Sequence, residues 1–287
     1  MLPLQLEAYV KPALLEDLAQ GDILSQALIQ WFTQQQQPIP TITAMVVPRT
    51  ACIISGVAVA QCVAACVDTT LDCLPLVSDG TAVAAYAPVL KLTGKLTSIQ
   101  QAERTLLNFM QHLSGIATQT HRFVQAMGDS HCRLAHTRKT TPNLRWLEQQ
   151  AVLHGGGYAH RYNLGSTAMF KDTLLQSVST DLASLVTQVK RYLPHTAKLE
   201  VEADTLALVQ AALDAGADVI LLDNMTLEEI EQAKALIQHR AVIEVSGGIT
   251  LENIAAYART GVDVISTSQI TLGASPIDIG LDITLSV

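Results

Sequence analysis

Several features that define other protein classes are missing from this 287-residue sequence. No stretch reaches the ~18 uncharged apolar residues of a membrane-spanning helix, and the N-terminus has no basic start followed by a long apolar run. The five cysteines are odd in number and lack CxxC spacing, so neither a disulfide framework nor a zinc site is indicated. We therefore expect a soluble, intracellular protein whose cysteines are buried free thiols.

Positive charge is also scarce, because the formal net charge is −8. A general nucleic-acid surface needs a positive field against the phosphate backbone, so that function is excluded. No GxSxG motif occurs, which leaves a serine nucleophile without support. Histidines without metal-ligand spacing are interpreted as surface or packing residues; these are His112, His121, His131, His154 and His195. Any anionic substrate must therefore meet cations that cluster locally.

Small and branched apolar residues are what the sequence has in plenty. Hydrophobic residues make up 49% of the chain, but aromatic residues only 4%. A mixture dominated by Ala, Val, Leu and Ile is typical of buried parallel strands covered by helices. The composition therefore predicts an α/β protein.

The two parts of the chain differ in their apolar pattern. The first part predicts helices over 4–32 and 55–67, a strand over 41–47 and a long amphipathic helix from about Ile99. The second part has six short apolar runs separated by helical stretches: CRLAH (132–136), TAMF (167–170), KLEVE (198–202), DVILL (218–222), AVIEV (241–245) and DVIST (263–267). Such βαβ units predict a parallel sheet closed into a barrel, and an open doubly wound sheet is the alternative.

Charged and polar residues follow the predicted strands at the edge where barrel enzymes carry their sites. The cations after the strands are Arg138, Lys139 and Lys171, and the GGGYAHR loop before the second strand adds His160 and Arg161. Arginine forks bind carboxylates and phosphates at two points, so this cluster favours a substrate with several negative groups. The acids Glu202 and Asp223 indicate Mg²⁺ carried by a polyphosphate, or else they only balance the cations.

The later strands end in small residues that favour phosphate. Ser246, Gly247 and Gly248 directly precede a predicted helix, whose free N–H groups and dipole attract an anion, although the glycines also fit a tight turn. Thr267 and Ser268 follow the last strand. The pattern predicts a phosphate site on this side of the barrel.

The same residues make the sequence recognisable. It resembles the quinolinate phosphoribosyltransferases, also called nicotinate-nucleotide pyrophosphorylases (carboxylating), over nearly its whole length. The matching segments include LLEDLAQGD (14–22), AERTLLNFMQHLSGIAT (102–118), TRKTTPNLR (137–145), GGGYAHR (155–161), FKD (170–172), LEVEAD (199–204), ILLDN (220–224), EVSGGITLENI (244–254) and TGVDVIS (260–266). TRKTTP, GGG with HR, and SGGI in this order are highly specific together.

The resemblance implies an N-terminal α+β sandwich domain at 1–112, completed by 272–287, followed by an incomplete, TIM-like α/β barrel at 113–271. It implies a cytoplasmic enzyme that converts quinolinate and phosphoribosyl pyrophosphate to nicotinate mononucleotide, pyrophosphate and CO₂ with Mg²⁺. It also implies homodimers with shared active sites, and higher oligomers stay open. Arg104, which has no obvious acid partner other than Glu103, would reach into the partner's site.

The resemblance also implies a role for each matching residue. Arg138, His160, Arg161 and Lys171 would hold the two quinolinate carboxylates. Lys139, Glu202 and Asp223 would face the ribose and the magnesium pyrophosphate, with Lys139, Lys171, Glu202 and Asp223 in the catalytic centre. Ser246, Gly247, Gly248, Thr267 and Ser268 would bind the 5-phosphate.

The chain departs from the family pattern mainly on the phosphoribosyl side. The departures are Asn163 for Gly, Ser166 for Asp, Thr173-Leu174 for Asn-His, Ser268 for a phosphate-loop Gly and Leu272 for His. Two alternatives therefore stay open. One is a related pyrophosphorylase of the ModD group, associated with molybdenum transport, which TSQITLGASPIDI resembles; the other is a catalytically idle barrel that binds a phosphorylated ligand.

Overall fold

The computed structural model describes residues 6–171, 174 and 181–284. The chain divides into two compact units. The first comprises residues 1–119, 142–155 and 274–287, and the second comprises residues 120–141 and 156–273. Each unit has its own main sheet. Among the described residues, no helix combines the length and the apolar character that crossing a membrane requires.

The first unit begins with two helices where the sequence predicted a single helical stretch. They are α1 (Leu6–Leu18) and α2 (Ile23–Gln34). Gly21 has a positive φ of 84°, a conformation that glycine adopts readily. The Asp22 side chain then accepts a hydrogen bond from the Ser25 N–H and caps the second helix. These two residues therefore end one helix and start the next.

An antiparallel sheet forms the centre of the first unit, and its strand order is β12 (Ile279–Thr284), β1 (Thr41–Pro48), β5 (Leu90–Lys95), β3 (Asp72–Pro75). The strand and helices that the sequence predicted after residue 40 are confirmed here. The elements are β1 (Thr41–Pro48), β2 (Cys52–Ile53), α3 (Val57–Val67), β3 (Asp72–Pro75), β4 (Ala82–Val83), β5 (Leu90–Lys95), α4 (Leu96–Met127, mostly in this unit), α5 (Arg145–His154) and β12 (Ile279–Thr284). The C-terminal strand β12 pairs with β1 along six residue pairs, so this sheet joins distant parts of the chain.

The second unit is a parallel sheet of six strands connected by helices. All six predicted strands are confirmed within one residue at either end. The strands are β6 (Arg133–Ala135), β7 (Ala168–Phe170), β8 (Leu199–Ala203), β9 (Val219–Asp223), β10 (Val242–Ser246) and β11 (Val264–Ser266). The described helices are α6 (Leu182–Lys190), α7 (Leu206–Asp214), α8 (Leu227–Ile237), α9 (Ile254–Arg259) and a 3₁₀ turn at Ser268–Ile270.

The strand order of the second unit is that of a barrel with one gap. Its order is β6, β11, β10, β9, β8, β7, so the first strand in the chain pairs with the last. No ladder joins β6 to β7 among the described residues, and a single parallel bridge links Ala135 to Tyr158 instead. A doubly wound sheet would reverse its order at a switch point, which this sheet does not do. The predicted incomplete barrel is confirmed.

Side chains of the barrel strands alternate between an apolar outer face and a polar interior. On β8, Leu199, Val201 and Ala203 are fully buried on one face, and Glu200 and Glu202 occupy the other. In the parallel register, Leu221 of β9 pairs with Glu202 of β8 on one side and with Glu244 of β10 on the other. Barrel interiors usually carry layers of Val, Ile and Leu, so this interior is unusually rich in acids.

All five cysteines are free thiols. Cys52, Cys62 and Cys132 are buried, as predicted, whereas Cys66 and Cys73 are half-buried. Burial raises the pKa of Cys73 and of Cys132 to about 12, so both thiols are neutral at physiological pH. These side chains therefore act as small apolar residues.

Candidate active site

A cavity of about 200 Å³ at the carboxyl edge of the barrel strands collects most of the predicted site residues. The predicted residues that line it are Arg138, Lys139, His160, Arg161, Lys171, Glu202, Asp223 and Ser246. The remaining wall comes from Thr137, Met169, Leu221, Glu244 and Ser266. Because parallel strands all end at this edge, residues far apart in the sequence meet around one space.

Two half-buried guanidinium groups form the cationic side of this cavity. The Nε of Arg138 is buried and makes no hydrogen bond with any described residue. Arg161 donates from Nη2 to the Met169 sulfur, 3.1 Å away, which is a weak acceptor. Burial lowers the pKa of Arg161; Glu200 opposes this shift and Arg138 adds to it. An incoming anion would satisfy both guanidinium groups at once.

The two predicted acids lie on neighbouring strands. Glu202 is buried on β8 and accepts a hydrogen bond of 2.9 Å from the half-exposed Lys171. Asp223 ends β9, and its Oδ2 accepts a hydrogen bond of 2.8 Å from the Asn224 side chain. Two carboxylates at the rim of a cavity fit Mg²⁺ that takes its other ligands from water and a polyphosphate.

The glycine loop after β10 differs from its predicted form. Helix α9 begins only at Ile254, so the two glycines are not directly at a helix N-terminus. The reason is Asn253, whose side chain accepts from the Thr250 N–H and donates to the Gly248 carbonyl, forming a turn before the helix. Gly247 has a φ of 89°, and a Cβ there would collide with the Asn224 side chain. The glycine-turn alternative therefore describes this loop better.

The segment after β11 is held by hydroxyl groups. Thr267 is buried, accepts from the Gln269 N–H and donates to the Ile249 carbonyl. Ser268 is half-buried and begins the 3₁₀ turn, and its carbonyl accepts from the Leu272 N–H. The Leu272 side chain is exposed. Thr267 and Ser268 thus neighbour the cavity-lining Ser266 but do not themselves line the cavity.

Two of the other departures from the family pattern, Asn163 and Ser166, lie in an exposed loop. Asn163 accepts from the Gly165 N–H, and Ser166 donates to the Asn163 carbonyl, so these residues form a local turn. Leu174 is exposed. Thr173 lies outside the described residues.

Sequence reasoning missed two glutamates inside the barrel. Glu200 and Glu244 are buried, and their carboxylates lie 3.7 Å and 3.2 Å from Nε2 of His160. One carboxylate oxygen of each accepts no hydrogen bond within the described part of the chain. These three side chains could also hold a metal ion, since their ligand atoms lie within 4.8 Å of one another. The sequence does contain a signal for these glutamates, because KLEVE and AVIEV each place an acid inside an otherwise apolar strand.

A second cavity of about 670 Å³ lies at the amino ends of the same strands. His131, Arg133, Lys198 and Asp263 line its rim. His160, Arg161 and Glu244 line both cavities. The His160 cluster therefore separates the two ends of the barrel interior.

Arg104 belongs to the first unit, on α4. It lines a cavity of about 320 Å³ together with Glu16 and Asp17. Lining the same cavity is not an ion pair, so the expectation that Arg104 has no obvious local acid partner other than Glu103 stays a prediction. Glu16 and Asp17 come from a different helix, far away in the sequence, and their proximity follows from packing within this unit.

Cations and acids line one cavity at the carboxyl edge of this interrupted barrel. Such a site is typical of an enzyme that binds polyanionic substrates. Comparison with models of protein families identifies the kind of enzyme more closely. Residues 22–114 match the N-terminal domain of quinolinate phosphoribosyl transferase, and residues 116–282 match its C-terminal domain. This chain belongs to the quinolinate phosphoribosyl transferase family.

Individual relatives agree with the family models. The chain is 38% identical over 277 residues to a probable nicotinate-nucleotide pyrophosphorylase (carboxylating) of Methanothermobacter thermautotrophicus, covering 93% of this chain and 95% of the relative. It is 36% identical over 286 residues to the nicotinate-nucleotide pyrophosphorylase (carboxylating) of Mycobacterium leprae, covering 96% and 95%. The solved nicotinate-nucleotide pyrophosphorylase of Francisella tularensis superposes with a TM-score of 0.88 at 35% identity, covering 97% and 96%.

Proposed function

We propose that this chain transfers the phosphoribosyl group of phosphoribosyl pyrophosphate to quinolinate. The products are nicotinate mononucleotide, pyrophosphate and CO₂, and the reaction serves NAD biosynthesis. The observation that carries this proposal is the cavity in which two arginines and two lysines meet three acids at the carboxyl edge of the barrel. Family membership and the names of the relatives support the same activity.

We assign the two carboxylates of quinolinate to Arg138, Arg161 and Lys171. Arg138 has a buried donor without an acceptor among the described residues, and Arg161 has only a sulfur acceptor. Lys171 is half exposed beside Glu202, so its ammonium group can move toward a second anion. Three cations exceed what one carboxylate needs, which favours a dicarboxylate over a monocarboxylate.

We assign the phosphoribosyl pyrophosphate to the rim formed by Lys139, Glu202 and Asp223. Ser246, Gly247, Gly248, Thr267 and Ser268 would bind the 5-phosphate through hydroxyl and backbone N–H groups. Glu202 and Asp223 would hold Mg²⁺ directly or through the pyrophosphate. When bound, this ion supplies positive charge to the leaving group.

The chemistry that follows needs no covalent protein nucleophile. The pyridine nitrogen of quinolinate attacks the anomeric carbon while pyrophosphate leaves through an oxocarbenium-like state. The side chains of the cavity mainly position the reactants and neutralise charge. Loss of the ring 2-carboxylate as CO₂ then leaves a carbanion beside the cationic ring nitrogen, and the nearby Arg and Lys charges stabilise it. A proton from water at this carbon then gives nicotinate mononucleotide.

An activity assay tests this function. The purified chain, incubated with quinolinate, Mg²⁺ and phosphoribosyl pyrophosphate, should form nicotinate mononucleotide, and Lys139→Ala should abolish the product. The exposed Leu272 and the side chain at Ser268 favour one alternative, a ModD-like enzyme that acts on another acceptor. Consumption of phosphoribosyl pyrophosphate only with another acceptor would support that alternative, and no turnover of any kind would support an idle binding barrel.

We further propose a homodimer with shared active sites, in which Arg104 of one subunit completes the site of the other. The support is that Arg104 lines its own acidic cavity in the first unit, whereas the other expected substrate ligands belong to the second. Arg104→Ala mixed with Arg138→Ala should recover part of the activity, because one hybrid site is complete. No recovery, with subunit exchange verified, would contradict a shared site.

We also propose domain boundaries and a cellular location. The N-terminal domain would comprise residues 1–112 completed by 272–287, and the barrel would comprise 113–271. The pairing of β12 with β1 and the place of residues 274–287 in the first compact unit support this arrangement, whereas residues 142–155 also fall in that unit. A biosynthetic role supports the cytoplasm as the place of action.

A further inference from the structure

Two threonine hydroxyl groups hold the backbone of Lys139 from opposite sides. Lys139 lies on the loop after β6, outside the helices and strands. Its N–H donates to Oγ1 of Thr137 over 3.0 Å. Its carbonyl oxygen accepts a hydrogen bond of 2.9 Å from Oγ1 of Thr271, which lies 132 residues further along the chain. The first bond closes a local turn, whereas the second ties this loop to the loop after β11.

The hydroxyl proton of Thr271 is directed to Lys139. A hydroxyl has one proton to donate, and Oγ1 of Thr271 lies 2.9 Å from the Lys139 carbonyl oxygen and 3.2 Å from the Ser268 carbonyl oxygen. The Ser268 carbonyl already accepts from the backbone N–H groups of Thr271 and Leu272. These two donors use both lone pairs of that oxygen. The shorter contact to Lys139 is therefore the bond that the hydroxyl makes.

Neighbouring strands bring the two loops together. β6 pairs with β11 in parallel, with Ala135 opposite Ser266, and the N–H of Thr267 donates to the Ala135 carbonyl. Both chains continue from there as loops. Thr271 is buried and is not part of the cavity wall, whereas Lys139 is exposed and lines the cavity. Thr271 therefore acts on the cavity only through the residue that it holds.

We propose that Thr271 is a positioning residue for the phosphoribosyl pyrophosphate part of the site. Its hydroxyl fixes the backbone of Lys139, and the fixed backbone limits where the lysine ammonium group can lie. This inference rests on the proposed function, because that function assigns Lys139 to the ribose and the pyrophosphate. The loop that carries Ser268 and Leu272 then serves the reaction at a second point, beside the 5-phosphate, since it also sets the position of the cation that faces the leaving group.

The effect of a lysine on this reaction depends on where its charge lies. Negative charge builds up on the pyrophosphate as it leaves, so a cation held near it stabilises the transition state more than the bound substrate. A long, flexible side chain on a loop that is free to shift spreads this charge over several positions. Loss of the bond from Thr271 should therefore lower kcat, and it should weaken phosphoribosyl pyrophosphate binding by a smaller factor.

Two substitutions separate the hydroxyl of Thr271 from its methyl group. Thr271→Val keeps the shape of the side chain and removes the hydroxyl, whereas Thr271→Ser keeps the hydroxyl and removes the methyl. We expect Thr271→Val to lower kcat about tenfold, because a small displacement of a catalytic group is costly. Thr271→Ser keeps the hydrogen bond and should stay within about threefold of the unchanged protein.

The order of the two variants decides between positioning and packing. If Thr271 only filled space, the valine variant would be the more active of the two, and that order of kcat would overturn the proposal. Lys139 is exposed, so water can hydrate its carbonyl oxygen in the valine variant and the fold should survive. If Thr271→Val does not fold, as circular dichroism would show, Thr271→Ser and Thr271→Ala give the same comparison, since they differ only in the hydroxyl.

Steady-state kinetics and calorimetry with quinolinate locate the loss. In Thr271→Val the KM for phosphoribosyl pyrophosphate should rise about fivefold, while the quinolinate dissociation constant stays within about twofold, because quinolinate is assigned to other cations. Thr260→Val is a matched control, since the Thr260 hydroxyl also donates to a backbone carbonyl, at the end of α9 and away from both barrel cavities. It should leave all these constants unchanged. Equal losses for both substrates in Thr271→Val would show a general disturbance of the barrel and would overturn the positioning role.

A double-mutant cycle tests whether Thr271 acts through Lys139. Lys139→Ala is expected to abolish turnover, so the cycle compares dissociation constants for phosphoribosyl pyrophosphate with Mg²⁺. Thr271→Val should weaken this binding about fivefold in the unchanged protein and less than about twofold in the Lys139→Ala background, because the group that it positions is already gone. Full additivity would mean that Thr271 acts on the ligand by another route, and it would overturn the proposal.

Hydrogen exchange of the ligand-free protein tests the contact itself. We expect Thr271→Val to speed exchange of the Lys139 amide by about tenfold and Thr271→Ser to restore it, because the loop after β6 loses its tie to the loop after β11 in the first variant only. Unchanged exchange in Thr271→Val would overturn the proposal. This readout needs no substrate, so the two hypotheses fail separately: a protein that forms no nicotinate mononucleotide refutes the proposed function, whereas the exchange rates still test the hold of Thr271 on Lys139.

Discussion

The two sides of the barrel cavity are built by different means. The acceptor side consists of side chains inside the barrel, where Arg138 and Arg161 line the cavity together with the buried Glu244. The donor side combines Lys139, Glu202 and Asp223 with the loops after β10 and β11, which are held by hydrogen bonds of the Asn253 and Thr267 side chains. Side chains fixed by a sheet resist displacement, whereas loops accept substitution. The departures at Ser268 and Leu272 indeed fall on the loop-built side.

Replacing Arg161 should give the largest difference between quinolinate binding on the acceptor side and phosphoribosyl pyrophosphate binding on the donor side. Arg161→Gln leaves Glu200 and Glu244 without their cationic neighbour and removes a ligand of the dicarboxylate. A hydrogen bond to a charged group contributes about 1.5–3 kcal/mol and a guanidinium can make two to one carboxylate, so quinolinate affinity should fall by about a hundredfold or more. Calorimetry measures this loss. The KM for phosphoribosyl pyrophosphate should change by less than about threefold, and a parallel rise in that constant would mean that the two sides are not separate.

Substrate choice should give the next largest effect. Nicotinate lacks one carboxylate and leaves part of the cluster of Arg138, Arg161 and Lys171 without an anion. We expect nicotinate to bind about tenfold to a hundredfold more weakly than quinolinate, because a buried cation left unpaired is costly. Competition calorimetry compares the two acids. Equal affinities would refute the quinolinate assignment and favour the ModD-like alternative.

Restoring the family residues on the donor side should have a smaller effect, and it should strengthen substrate binding instead of weakening it. Ser268→Gly with Leu272→His returns close backbone approach and a possible imidazole donor. A hydrogen bond to a charged group contributes about 1.5–3 kcal/mol, so the KM for phosphoribosyl pyrophosphate should fall about tenfold. The quinolinate dissociation constant should stay nearly fixed. The contrary possibility is that the Thr267 and Ser268 hydroxyls already bind the phosphate, and then the double change would abolish binding.

The exposed turn beside the acceptor segment should give the smallest effect. Asn163→Gly with Ser166→Asp restores the family residues in a turn that lies outside both barrel cavities. We expect both substrate constants to change by less than about twofold. The added glycine should lower the free energy of unfolding by up to about 1 kcal/mol through the unfolded chain's entropy. Thermal unfolding measures that cost, and a tenfold change in quinolinate affinity would show that this turn reaches the acceptor.

The sequence predicted the barrel and its edge well because both depend on local pattern. Six apolar runs with charged ends were enough to place β6 to β11 and to group the cations with Glu202 and Asp223. Glu200 and Glu244 were missed because their role depends on which face of a strand they occupy and on the register between β8 and β10. The acids near Arg104 were missed because Glu16 and Asp17 approach it only through tertiary packing.

The glycine loop was only partly foreseen for a similar reason. SGGIT has the composition of a phosphate-binding helix start, but the Asn253 side chain makes two hydrogen bonds that turn the chain before α9 begins. Whether a short polar side chain caps a helix or forms a turn is decided by competition between nearby backbone groups. Composition alone cannot resolve that competition.

Most α/β barrels fill their centre with branched aliphatic residues, whereas this one places Glu200, Glu244 and His160 there. Replacing a buried ionic cluster by apolar residues of similar volume is often neutral or even stabilising. The same replacement would leave the Arg161 amide without its imidazole acceptor. Thermal stability is therefore favoured by apolar residues at these three positions, whereas acceptor recognition is favoured by the ionic cluster. A homologue with apolar residues there should have a higher melting temperature and a lower affinity for a dianion.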